Sequence, residues 1–334
     1  MKGKYTISIT SRKVNYRLEI ERKISVIKGN SGTGKSSIIR LISDYLEYGK
    51  QSGIRLSIDP SASFLVLTNG TDWDKVLSSV HDTVLFIDED VSYIYGENFQ
   101  RALWEADCYA VIISRSGMFT ALPYSILAIY ELITEKKGLN TATTMYKLYE
   151  KEQGNDSFNT ILTEDSNSGF EMMKYAFESE NTKVISAGGN SSVHGMLIKM
   201  NPTEGLICVY VDGAAFGAFI EPVLKYAELR GNIIVSAPES FEYVLLNISD
   251  VGKHLSRDHA ELIRTYEYCD SRENGSWEQY YEKLLRHITS EYLGFVYSKS
   301  KLNSWFLNRK CAEQFVSILQ QSFVVRQHND GNME

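Results

Sequence analysis

Between Ile24 and Leu46 the chain reads ISVIKGNSGTGKSSIIRLISDYL: an apolar run, a glycine-rich octapeptide, then apolar residues at helical spacing. The octapeptide, Gly29 to Ser36, fits G-x-x-x-x-G-K-[ST] at every fixed position. Its glycines let successive backbone N–H groups turn toward one point, and a helix starting there adds the positive end of its dipole. The natural occupant of such a cradle is a polyphosphate. Gly29, Asn30, Ser31, Gly32, Thr33, Gly34, Lys35, Ser36 and Ser37 are therefore the candidate nucleotide-binding residues. Lys35 is positioned to neutralise the β- and γ-phosphates, and the Ser36 hydroxyl to ligate Mg2+, a cation that prefers oxygen donors.

The surrounding pattern places this loop in an α/β chain. Tyr5–Thr10 and Tyr16–Ile20 alternate apolar with polar residues and predict a half-buried antiparallel ribbon leading into a buried strand at Ile24–Ile27. Ile38, Ile39, Leu41, Ile42 and Leu46 form one stripe of a helix after the loop. Strands are predicted at 54–58, 63–67, 83–87, 109–114 and 126–133, with helices near 72–80 and 99–105; such alternation favours a mostly parallel sheet. At 334 residues the chain exceeds one usual core. We expect a first α/β domain over 1–150 and a polar linker over 151–170. A second, Rossmann-like α/β domain is expected over 171–250, with a mainly helical part over 251–334.

A second acidic signal lies at VLFIDED, Val84 to Asp90. Four apolar residues followed by three acids predict a buried strand that delivers carboxylates to its C-terminal edge, where α/β ligands bind. A further apolar run, YAVIISR, ends on Ser114 and Arg115.

Together GNSGTGKS and VLFIDED resemble the Walker A and Walker B motifs of P-loop NTPases. The Asp-Glu pair is similar to the division that includes AAA and ABC ATPases. The resemblance covers about residues 1 to 150 and implies a bound ATP with Mg2+. It implies that Lys35 and Glu89 are catalytic, Glu89 placing the attacking water, while Asp88 and Ser36 hold the metal. Ser114 would act as a polar sensor of the γ-phosphate, and Arg115 as a finger or a salt-bridge partner. The chain departs from ABC domains in having only 51 residues between Ser36 and Asp88 and no LSGGQ-like signature. It has no [NT]KxD guanine-reading motif, which points to adenine.

In the second half, VISAGGNSSV (184–193) again runs strand, glycine pair, helix start; the pair serves either a tight turn or a phosphate. Asp212 ends the apolar run ICVYVD, and Glu239 and Glu242 follow IIVSAP, so these three are candidates to gather a divalent cation. The arrangement is remotely similar to the Toprim domain, a metal-dependent phosphodiester-cleaving fold joined to ABC-like ATPases in OLD-type bacterial anti-phage nucleases. Against that pattern, the glutamate position after the first strand reads as Ala187-Gly188-Gly189, and Ala214 stands where a second aspartate is expected. Asp250, His254 and Asp258, at i, i+4 and i+8, form either a metal-ligand face or a solvated one. The segment 297–310, with Lys299, Lys301, Arg309 and Lys310 around Trp305 and Phe306, is either a single-strand nucleic-acid surface or a docking helix.

Charge and cysteine usage bound the partners. Residues 1–40 carry ten lysines and arginines against Glu19 and Glu21, within a chain of net charge −7. An acidic whole argues against non-specific nucleic-acid coating, yet the basic edge keeps nucleic acid open as a partner. Four dispersed cysteines without a CxxC pair read as buried thiols, and the absence of a long apolar run predicts a cytoplasmic chain away from membranes. The expected function is a Mg2+-dependent ATPase coupling nucleotide state to a C-terminal effector or docking domain, in a homo-oligomer or with a partner protein, within phage defence. The alternatives are a slowly hydrolysing nucleotide switch and an ATP-regulated, metal-dependent nuclease.

Overall fold

The computed structural model describes residues 1–29, 34–88, 90–115, 118–137, 140–179, 181–201, 204–264 and 277–327. Two compact units divide near Leu148 and Tyr149. Both are α/β.

The first unit carries nine strands: β1 (Tyr5–Thr10), β2 (Val14–Ile20), β3 (Ile24–Lys28), β4 (Arg55–Asp59), β5 (Ser63–Leu67), β6 (His81–Ile87), β7 (Asp107–Ile113), β8 (Ile129–Lys137) and β9 (Asn140–Lys147). They form one sheet in the order β4-β1-β2-β9-β8-β3-β7-β6-β5. From β8 to β5 neighbouring strands run parallel, whereas β1 pairs antiparallel with β2 and β4, and β8 with β9. Every residue of β3 is buried, Ser25 and Lys28 included, as are the last five of β6, which is why these strands read as mainly apolar rather than alternating. The ribbon strand β1 instead buries alternate residues, Ile7 and Ile9 fully. Helix α1 (Lys35–Tyr48) leads from β3 toward β4, and α2 (Trp73–Ser79) and α3 (Glu97–Glu105) connect the parallel strands β5, β6 and β7. Helix α1 buries Ile38, Leu41 and Ile42, three residues of the predicted stripe, while Leu46 is 47% exposed. The threonine-rich β9 was not expected; its pairing along all of β8 supplies what its weak apolar pattern does not.

The second unit carries β10 (Tyr149–Glu152), β11 (Thr160–Thr163), β12 (Lys183–Ser186), β13 (Ile207–Tyr210), β14 (Ile233–Ser236) and β15 (Phe323–Arg326), in the order β10-β15-β14-β13-β11-β12. The four strands from β14 to β12 are parallel, and β15 and β10 close one side antiparallel. Its helices are α4 (Ser168–Phe177), α5 (Asn190–Met200), α6 (Ile220–Arg230), α7 (Phe241–Leu246), α8 (Ser249–Gly252), α9 (Arg257–Arg264), α10 (Trp277–Tyr292) and α11 (Arg309–Gln320).

One expectation is corrected here. Residues 151–170 are not a linker: they hold the end of β10, all of β11 and the start of α4, and Ile161 and Leu162 are fully buried between β12 and β13. A four-residue strand flanked by the polar loops that parallel strands require looks like linker to any compositional window. The described residues of 251–334 are mainly helical, as expected, and pack into the second unit. Trp277, Tyr281, Leu285 and Phe315 share one core with Met172, Cys208 and Tyr210, and β15 returns to the sheet. Cys108, Cys208 and Cys311 are buried and unpaired; Cys269 lies outside the described residues. Among the described residues no helix is long and apolar enough to cross a membrane.

Candidate nucleotide and cation sites

In the first unit, β3 ends at Lys28 and α1 begins at Lys35, so the octapeptide spans a strand-to-helix turn. Asn30, Ser31, Gly32 and Thr33 lie outside the described residues. At the two ends of the loop Gly29 has φ 140° and Gly34 φ 85°. Gly34 is doubly required: a Cβ there would also lie 2.8 Å from the Tyr16 hydroxyl, which donates to the Gly34 carbonyl at 3.1 Å. Burial raises the Tyr16 pKa, opposed by a hydrogen bond from Ser37 and by Arg40. The buried Lys35 ammonium donates back to the Gly29 carbonyl at 2.5 Å, and Ser36 is exposed.

Strands β3, β7 and β6 are adjacent and parallel, so Gly29, Ser114 and Asp88 all follow strands at the same edge of the sheet. Ser114 is fully buried and its N–H donates to the Ile27 carbonyl at 3.1 Å. Asp88 is half-buried and Arg115 exposed. Glu89 lies outside the described residues.

In the second unit, the same edge logic gathers carboxylates around a cavity of about 300 Å3. Glu164 follows β11, Asp212 follows β13, Glu242 sits in the first turn of α7, and Glu278 in the first turn of α10. Asp212, Glu242 and Glu278 each offer an oxygen within 4.8 Å of the others. Oxygens that share a Ca2+ or Mg2+ ion lie at ~2.0–2.6 Å from it, hence within about 5 Å of one another. Glu164 accepts the Asp212 N–H at 3.2 Å, while its other oxygen is sealed from solvent without a partner. Lys299 is the cation of the cluster: its ammonium lies 2.5 Å from Glu278, 3.4 Å from Glu282 and 3.6 Å from Glu242. Tyr297 donates to Glu242 at 2.9 Å.

The five acids that line the cavity beside the one ammonium of Lys299 are short of positive charge. Burial, and then the backbone N–H of Asp212 acting against it, leaves the Glu164 carboxyl pushed up to about 8. Burial followed by repulsion from Glu164 and Glu278 raises Asp212 well above the carboxylate range, and burial raises Glu242 despite Lys299. Burial pulls Lys299 down, but Glu242 and Glu278 outweigh it and hold its ammonium above the usual range. Protons or a divalent cation can supply the missing charge.

Of the residues expected to form this site, Asp212 and Glu242 meet and Glu239 does not. The Glu239 side chain is fully buried, 3.3 Å from the Lys151 ammonium, and is absent from the cavity lining. Asp250, His254 and Asp258 share no helix, since α8 ends at Gly252 and α9 begins at Arg257. Asp250 pairs with Lys310 at 2.8 Å and His254 stacks on Tyr292. Leu302 and Phe306 are buried in the core of this unit, which favours docking over a nucleic-acid surface for 297–310, but through a loop and a 3-10 turn at Ser304–Phe306 rather than the expected helix. Glu164, Tyr210 and Glu278 were missed. ILTED repeats the apolar-then-acid pattern of VLFIDED and could have revealed Glu164; nothing local marks Glu278, whose place depends on how α10 packs. No family model matches the chain, and no curated protein matches it.

Proposed function

We propose that the chain binds and hydrolyses ATP with Mg2+ at the edge of the first sheet, as a member of the P-loop NTPases. One observation carries the reading: an octapeptide with every fixed position of the phosphate loop joins β3 to α1, and Asp88 and Ser114 follow the next parallel strands. The donors fit the metal, since Ser36 and Asp88 offer only oxygen. Mg2+ would offset phosphate charge there. Water attacks the γ-phosphorus in line, the bond to the bridging oxygen breaks, and ADP and phosphate leave; Lys35 holds charge and Glu89 orients the water. Calorimetry with ATP and Mg2+ is expected to show saturable uptake that Lys35→Ala removes, while Glu89→Gln binds without turnover. Turnover by Glu89→Gln at the wild-type rate would overturn its role.

A second reading concerns the other unit and is favoured by the acidic cavity: cation-dependent cleavage of a phosphodiester, in a Toprim-like domain regulated by ATP. The first parallel strand of this sheet in sequence is β11, and Glu164 follows it, which supports seating the glutamate of that pattern there rather than at Ala187-Gly188-Gly189. Ala214 still stands for the second aspartate, and Glu278 supplies a third carboxylate from α10. Incubation with DNA and RNA under Mg2+ or Mn2+, with Asp212→Ala as control, tests it; equal products from both proteins would end it. A cytoplasmic setting in phage defence accords with these activities.

A further inference from the structure

We propose that the second-unit cavity seats a phosphate group on the first turn of α5, between the Gly188–Gly189 bend and a cation at Asp212, Glu242 and Glu278. The inference rests on the cation reading above and names what the cation would face. Gly188, Gly189 and Asn190 line the same cavity as the carboxylates, so two features separate in sequence meet in one space.

The helices opening on that space differ. The first amides of α4 are already taken: Asp165 accepts the N–H groups of Asn167 and Gly169 at 2.9 and 2.7 Å, and the Lys299 carbonyl accepts Ser168 at 3.1 Å. Helix α5, eleven residues long, has Gly189 at its N-cap and no side-chain cap. The Ser192 N–H turns back to the Gly189 carbonyl at 3.0 Å, which leaves the N–H groups of Asn190 and Ser191 pointing out of the helix in need of an acceptor. Gly188 and Gly189 have φ 76° and 135°, and a Cβ on either would meet nothing within 4 Å, so the bend borders open space.

An independent observation inside the cavity points to a ligand. Tyr210, 1% exposed, lines it, and its hydroxyl has no hydrogen-bond partner. A buried polar group left unpaired destabilises the fold, and a ligand oxygen would relieve that. A phosphate offers oxygens to this hydroxyl and to the α5 amides. The carboxylates alone would repel it, so cation binding must come first.

A mononucleotide and a nucleic-acid end present the same phosphate. The test uses the full chain carrying Lys35→Ala, which silences the loop of the first unit. Mn2+ is titrated alone by calorimetry, with Asp212→Asn as control; then, at saturating Mn2+, thymidine 5′-monophosphate and a short oligonucleotide with and without a 5′-phosphate. Asn190→Asp discriminates, because a carboxylate in a helix's first turn favours folding yet opposes an anionic ligand. Expected are Mn2+-dependent phosphate binding, weakened at least about tenfold by Asn190→Asp, with Mn2+ still bound and the melting temperature not lowered. Equal phosphate affinity in both proteins, or binding indifferent to Mn2+, overturns the seat alone. No Mn2+ uptake beyond the Asp212→Asn control overturns the cation reading and the seat with it. Preference for the phosphorylated oligonucleotide assigns the seat to nucleic-acid ends; preference for the mononucleotide assigns it to small ligands.

Discussion

The two units place chemistry at the same kind of edge and compose it oppositely. In the first, on the proposed reading, one contiguous octapeptide brings Lys35 and a glycine-rich turn, and Asp88 follows a strand beyond. In the second, carboxylates from four segments, Glu164, Asp212, Glu242 and Glu278, line one cavity with the Lys299 ammonium. A donor-rich edge suits an anion directly; an acceptor-rich edge must first take a cation. Local sequence can encode the former, whereas only packing assembles the latter.

The largest effect that could break this contrast lies at the cradle. Lys35→Ala removes the charge that would face the phosphates, and ATP affinity should fall by about 1000-fold or more, close to 4 kcal/mol. Nucleotide binding by the variant at near wild-type strength would mean that the first edge is no anion site. The second edge should show the converse dependence on cations. At Mn2+ near one hundred times its dissociation constant, linkage predicts stabilisation of about 2.7 kcal/mol. Asp212→Asn should abolish that rise in a melting experiment, and Lys35→Ala should leave it intact.

How legible each site was follows from the same contrast. Gly29 to Ser36 could be read directly because every required residue is adjacent, and the buried strands β3, β6 and β7 announced themselves by mainly apolar runs. In the second unit Asp212 and Glu242 were legible as acids after apolar runs. Glu164 was hidden by the brevity of β11, and Glu278 lies on an amphipathic helix whose outward acids all look alike in sequence. Glu239 was a false positive for a physical reason: it fits the strand-end rule, but its carboxylate pairs with Lys151.

A smaller effect separates the units by pH. Glu164 titrates near 8 when folded, against an ordinary value of 4.5, so between these limits the folded chain holds a proton the unfolded chain has lost. Its contribution is fully present below pH 4.5 and is lost as pH rises toward 8. With chelator present, wild-type stability should therefore decline through this window. Glu164→Gln, which carries no proton to lose, should flatten the decline by on the order of 1–3 kcal/mol. Hydrogen exchange in β11 and β13 should register the change. A slope unchanged by the substitution would place the extra proton elsewhere.

The finest test returns to the first unit and asks whether its loop is held by the ribbon. Tyr16 stands on β2, outside the octapeptide, yet its hydroxyl donates to the Gly34 carbonyl and its ring packs where a Cβ on Gly34 would intrude. Tyr16→Phe keeps the ring and deletes one hydrogen bond, worth about 0.5–1.5 kcal/mol. If the bond serves only folding, the melting temperature falls and ATP affinity does not move. If it fixes the turn into α1, ATP affinity should fall by about three- to tenfold, with little change in turnover at saturating ATP. The second outcome would show that even the contiguous site depends on one distant residue, narrowing the difference between the two edges to a matter of degree.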